Sequence, residues 1–127
     1  MSFKSIAAAA LSCLLMACAS DLPRTAATLL PAEASASVPA QLTFTSAVTV
    51  SPPSMYQRDV RAGSVWRLTG RLEQGAVYRP VDTVFMLESA HVHEAYLVID
   101  GSTLVGAYLP VERAFVKVKP VPALPVQ

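Results

Sequence analysis

Along most of this chain, polar and apolar residues alternate with a spacing of two. Leu42 and Phe44 are interleaved with Thr43 and Thr45, the period expected when successive side chains point to opposite faces of a strand. Trp66, Leu68 and Leu72 stand against Arg67, Thr69 and Arg71, which predicts a half-buried strand with Arg67 and Arg71 on one outward face. Val116 and Val118 alternate with Lys117 and Lys119, and Pro120 and Pro122 follow. Lysines beside prolines are a common way of blunting a sheet edge, so an edge strand is expected there. Helical spacing is weak throughout, and almost no helix is expected.

Turn residues divide the pattern into short pieces. Glu73-Gln74-Gly75 separates the Trp66 strand from Ala76, Val77 and Tyr78, and a second apolar run covers 84–87. Positions 95–99 are apolar on both parities and end at Asp100-Gly101. The first feature predicts a central strand, and the second is the strongest hairpin signal in the chain. The count is six or seven short strands in one domain over 41–119. The expected fold is therefore all-β, a small antiparallel barrel or sandwich. No period of 20–50 residues recurs, which excludes a repeat architecture.

The flanks read differently. Of the 22 residues from 19 to 40, fifteen are Ala, Ser, Thr or Pro, with prolines at 23, 31 and 39. That spacing forbids a continuous helix and predicts a flexible, partly extended linker, disordered up to the domain. Residues 120–127, PVPALPVQ, predict a Pro-rich tail of polyproline II character that frays as an ordinary terminus.

The first 17 residues predict an address. Lys4 precedes the run IAAAALSCLLMA at 6–17, the charged start, apolar centre and small-residue boundary of a secretory signal peptide. Twelve helical residues reach about 18 Å, well short of a hydrocarbon core of about 30 Å. The run closes on Leu15-Met16-Ala17-Cys18, and this tetrad resembles the lipobox of bacterial lipoprotein precursors over about residues 1–20. Met16 departs from the commoner small or β-branched residue at its position. The resemblance implies cleavage before Cys18, diacylglycerol on its sulfur and an acyl chain on the new amino group. It also implies placement at the outer membrane facing the periplasm, because Ala19 and Ser20 follow the cysteine where an Asp would retain the protein at the inner membrane. A rival cut exists at Ala17-Cys18-Ala19, an A-x-A pattern whose cleavage releases a soluble chain.

Charge and cysteine content narrow the partners. Ten Lys and Arg face nine Asp and Glu in 127 residues, so the basic excess that general nucleic-acid binding needs is missing. Cys13 leaves with the leader and Cys18 takes lipid, so the mature chain holds no thiol and no disulfide. His91 and His93 bracket Val92; on a strand both imidazoles share a face and make a candidate metal pair, completed by Glu88 or another acid. Between 58 and 79 five arginines meet only two acids, and Arg67 and Arg71 form a candidate partner surface. Tyr108, ahead of Leu109-Pro110-Val111, is expected to leave aromatic surface accessible beside them. No G-x-S-x-G, H-E-x-x-H, P-loop or catalytic cysteine is present, and no cofactor is implied.

The reading that follows is a lipid-anchored, non-enzymatic structural or adaptor subunit of a cell-envelope assembly, with the membrane and an envelope protein as partners. The alternatives are a periplasmic module for a small ligand or metal, and an inhibitor of a wall-degrading enzyme.

Overall fold

The computed structural model describes residues 23–127, so the leader-like run and Cys18 lie outside the described residues. Among the described residues there is no helix. The strands are β1 (Thr25–Ala26), β2 (Gln41–Thr43), β3 (Val48–Val50), β4 (Arg58–Val60), β5 (Val65–Leu72), β6 (Gly75–Pro80), β7 (Met86–Glu88), β8 (Val92–Glu94), β9 (Tyr96–Asp100), β10 (Thr103–Leu109) and β11 (Ala114–Val121). Seven of them form one antiparallel sheet in the order β1-β11-β10-β9-β6-β5-β2, while β3–β4 and β7–β8 are separate hairpins. The fold is all-β, and its sheet does not close, a sandwich-like arrangement. The strand expected to be central, β9, has three sheet neighbours on each side.

One face carries the main core. Leu42, Trp66, Tyr78, Leu97, Leu104, Leu109 and Val116 project from the sheet, and Val50, Val60, Phe85 and Leu87 meet them from the two hairpins. Trp66 sits edge-on to Phe44 at 6.2 Å and to Phe85 at 5.5 Å, a favoured arrangement for aromatic rings. The opposite face carries a smaller cluster of Leu72, Val77, Val98, Tyr108 and Phe115.

Leu72 belongs to that second cluster although Trp66 and Leu68, on the same strand, belong to the first. The cause is a register shift in β5 between Leu68 and Gly70. One extra residue reverses the in–out parity of everything after it. A second shift, between Leu104 and Gly106, does the same in β10 against both of its neighbours. Arg67 and Arg71 consequently do not share a face: Arg67 pairs with Arg79, whereas Arg71 pairs with Ala76 of the main-core side.

The segment expected as a flexible linker is laid onto the sheet from residue 25 onwards. Thr25 and Ala26 pair with Phe115 and Ala114 of β11, and the Ala27 amide donates to the Arg113 carbonyl at 3.0 Å. Leu30 then exchanges both backbone hydrogen bonds with Arg71 of β5, at 3.0 and 2.8 Å. Ala27 and Leu29 pack on the second cluster between these points, so residues 25–30 form a strap across that face. The close approach requires glycine underneath: a Cβ at Gly70 would stand 2.7 Å from Leu29 Cγ and 2.6 Å from the Leu30 carbonyl oxygen. Further on, the Tyr78 hydroxyl donates to the Pro39 carbonyl at 2.7 Å. Small side chains and prolines, read as linker composition, here let a strap lie flat where no ladder hydrogen bond is needed.

The Pro-rich tail is likewise part of the fold. Thr43 and Gln127 exchange both backbone hydrogen bonds, and the Thr45 amide donates to the Pro125 carbonyl at 2.7 Å. Leu124 is buried in the main core. Strand β11 is not an edge either, because β1 pairs along it and the Lys119 amide donates to Ser51. Very short elements, β1 on one side and β2 with the tail on the other, close the two margins of the sheet.

Candidate functional site

His93 lies in β8 and His91 just before it, with their ring centroids 6.5 Å apart. The spacing of two therefore brings the rings together, but their surroundings differ. His91 is exposed, whereas His93 is buried with its Nδ1 2.6 Å from Oε2 of Glu112. A proton on Nδ1 lets the carboxylate accept, which fixes the ring and ties the β10–β11 loop to β8. The partner is thus Glu112 rather than Glu88, which meets Arg58 at 3.6 Å. Nε2 of His93 and Oε1 of Glu112 are buried without a hydrogen-bond partner. Among the described residues no three His, Cys, Asp or Glu side chains come together in a metal-binding arrangement.

Tyr108, expected as accessible, is buried in the second cluster at 4% exposure. Its ring packs against Tyr96 at 6.3 Å. The exposed aliphatic of that neighbourhood is Val111, in the loop beyond it. The strap is what the composition did not announce: Ala27 and Leu29 pack on the cluster to which Tyr108 belongs.

The arginines separate into two settings. Arg58 stacks over Phe85 at 6.0 Å, in addition to its contact with Glu88. With Arg61, Asp82 and Val84 it surrounds a surface groove of about 1070 Å³ floored by Trp66 and Phe85. The Trp66 indole N–H donates to Ser64 Oγ at 3.0 Å, and that hydroxyl donates to the Arg61 carbonyl at 2.7 Å. Val84 is 57% exposed at the rim.

The second setting lies on the strap face. Arg67 stands directly opposite Arg79 in the ladder, with Gln41 opposite Arg67 on its other side. All three are exposed. Neither Arg67 nor Arg79 makes an ion pair with an acid among the described residues. One step beyond the paired Tyr78 and Leu97, Arg79 stands next to Tyr96. Burial raises the Tyr96 phenol above its ordinary range, the Glu94 charge adds to this, Arg79 opposes it, and Tyr108 adds a smaller increase. Tyr96 is therefore a hydroxyl donor at neutral pH.

Arg79 is one of the five arginines between 58 and 79, but its pairing with Arg67 and its place beside Tyr96 do not follow from the alternation, and the reason is countable. Folding the chain back at Glu73-Gln74 without a bulge places Arg67 opposite Pro80; the shift before Gly70 moves it onto Arg79. The signal available was Gly70, a glycine inside an alternating strand, which often marks a bulge or a close backbone approach. Comparison of the chain with protein-family models, curated proteins and solved structures finds no match.

Proposed function

We propose that this chain is a lipid-anchored interaction subunit of a cell-envelope assembly, acting by binding rather than by catalysis. The observation that carries this reading is the distance between the lipobox-like cysteine and the strap. Thr25 is held in the sheet by β11, and Cys18 precedes it by seven residues. At about 3.4 Å per extended residue, seven residues can span about 24 Å at most, a third of what a linker reaching to residue 40 would allow. Two or three acyl chains on Cys18 give lasting attachment where one is marginal. The domain then works close to a bilayer surface, and Ala19 and Ser20 favour the outer membrane by the sorting rule of such lipoproteins.

A partner protein has a suitable surface in the groove beside Val84. Its Trp66 and Phe85 floor supplies apolar area, and Arg58, Arg61 and Asp82 supply directional charge, the mixture found at interface centres and rims. The test is a photo-cross-linking residue in place of Val84 in the full precursor, expressed in the cells that make it. A single discrete adduct with an envelope protein, lost in Cys18→Ser, is expected. Absence of any adduct, together with an intact mass lacking added lipid, overturns the reading.

A further inference from the structure

Two guanidinium groups placed directly opposite each other in an antiparallel ladder repel, and such pairs are normally avoided or offset by an acid nearby. Among the described residues no acid forms an ion pair with Arg67 or Arg79. The repulsion is relieved most directly by an anion bound between them, and two planar forks present paired N–H donors suited to an oxyanion. Gln41 at one end of the row and the Tyr96 hydroxyl at the other add neutral donors.

The setting identifies the anion. The strap packs on this same face, and Lys117 projects from it as well, since it pairs with Gly106, which in turn pairs with Val98 of the second cluster. Lys117 is exposed. The strand positions of the face thus carry three exposed cations; the acids at its margin are Glu94, close enough to act on the Tyr96 phenol, and Asp100 in the β9–β10 turn. Thr25, seven residues after Cys18, begins β1 at one margin of the sheet.

We infer that Arg67 and Arg79 form a binding site for the phosphate of anionic phospholipid headgroups, holding the strap face against the membrane in which Cys18 is anchored. The site rests on the anchor reading for its location. Lipid attachment supplies residence at the bilayer, and the arginine pair supplies orientation, leaving the groove beside Val84 free for a protein partner. Arg71, turned to the other side by the bulge, is an internal control.

The experiment is arginine-specific labelling with phenylglyoxal on the full chain, reconstituted in nanodiscs of phosphatidylcholine alone or with phosphatidylglycerol. Each basic residue near an anionic surface gains about fivefold in local affinity, so labelling at Arg67 and Arg79 should slow at least about fivefold in the anionic discs. Arg71 should label equally in both. Equal rates for Arg67 and Arg79 in the two discs overturn the site. So does equal protection by inorganic phosphate added to neutral discs, which assigns the pair to a free anion instead. An intact mass without acyl groups on Cys18 sinks the anchor alone; the same labelling on vesicles of the two compositions then still decides the arginine site. The variant pair Arg67→Lys and Arg79→Lys keeps the charge but loses the forks, and should recover only part of the preference for anionic lipid.

Discussion

The two faces of the seven-stranded sheet are built by different means. The main-core face is covered by two hairpins and the tail, which bring Phe85, Val60 and Leu124 onto an aromatic centre at Trp66. Among the described residues, the strap face is covered where residues 25–30 cross it, over a cluster of five buried residues, and elsewhere it leaves Arg67 and Arg79 exposed and without an ion-pair partner. The first face is made for stability, since apolar burial supplies most of the folding free energy. The second gives up some of that to keep a charged row exposed.

The largest effect expected from this difference is at Trp66. Truncation to alanine removes the ring that joins Phe44 to Phe85 and opens a cavity under the groove, costing about 3–5 kcal/mol. Chemical denaturation should show the midpoint falling accordingly. A loss under about 1 kcal/mol would mean that the aromatic centre is not what closes the main face. At Gly70 the effect is smaller and local. A methyl group there meets backbone at Leu30 and side chain at Leu29, so Gly70→Ala should lift the strap at a cost of about 1–3 kcal/mol. Hydrogen exchange tests this directly, because the Arg71 amide donates to Leu30. Its protection should collapse while amides of β9 keep theirs. Uniform loss at both places would show that strap and main core are one cooperative unit.

The same division governs what was legible in the sequence. Alternation at Leu42–Thr45, the apolar run of β9 and the Asp100-Gly101 turn follow from local chemistry, and the structure has each of them in place. Two features with no local signature changed the rest. Bulges at β5 and β10 flipped parity, so Arg71 left the face that Arg67 occupies. Docking of residues 25–30 and 124–127 is decided by tertiary pairing with Phe115, Arg71 and Thr43, which composition does not encode. Tyr108 is buried for the same reason: its cluster is completed by Ala27 and Leu29, about eighty residues earlier in the chain. The histidine pair was legible as a pair, but Glu112 lies nineteen residues away from His93 in the β10–β11 loop, beyond any strand-level pattern.

A third prediction concerns the join between the flank and the main core. The Tyr78 hydroxyl donates to Pro39, and burial raises its phenol above the ordinary value of 10.0. Tyr78→Phe should cost about 1 kcal/mol, the usual net worth of one such bond. The sign with pH follows from linkage. A folded-state pKa above the unfolded one gives a contribution that is complete below about pH 10 and is lost as pH rises through the folded value. Urea midpoints from pH 8 to 11 should therefore fall in the parent chain and fall less steeply in Tyr78→Phe. Parallel curves would place the alkaline loss elsewhere, with Tyr96 the next residue to examine because burial raises its phenol too.

The smallest effect has the opposite sign, and it separates the two faces most sharply. Replacing one member of a like-charged cross-strand pair removes a repulsion worth about 0.2–1 kcal/mol, so Arg79→Gln should make the unliganded chain slightly more stable. The gain should appear at low ionic strength and shrink as salt shortens the screening length from about 30 Å at 0.01 M to about 3 Å at 1 M. A matched change at Arg58, which already has Glu88 and the Phe85 ring as partners, should lower stability or leave it unchanged. If Arg79→Gln destabilises the chain at every salt concentration, the arginine row contributes to folding like any other surface, and the distinction between a stabilising face and a binding face fails. If it stabilises the chain while weakening attachment to anionic bilayers, the repulsion between Arg67 and Arg79 persists in the free protein because the bound state relieves it.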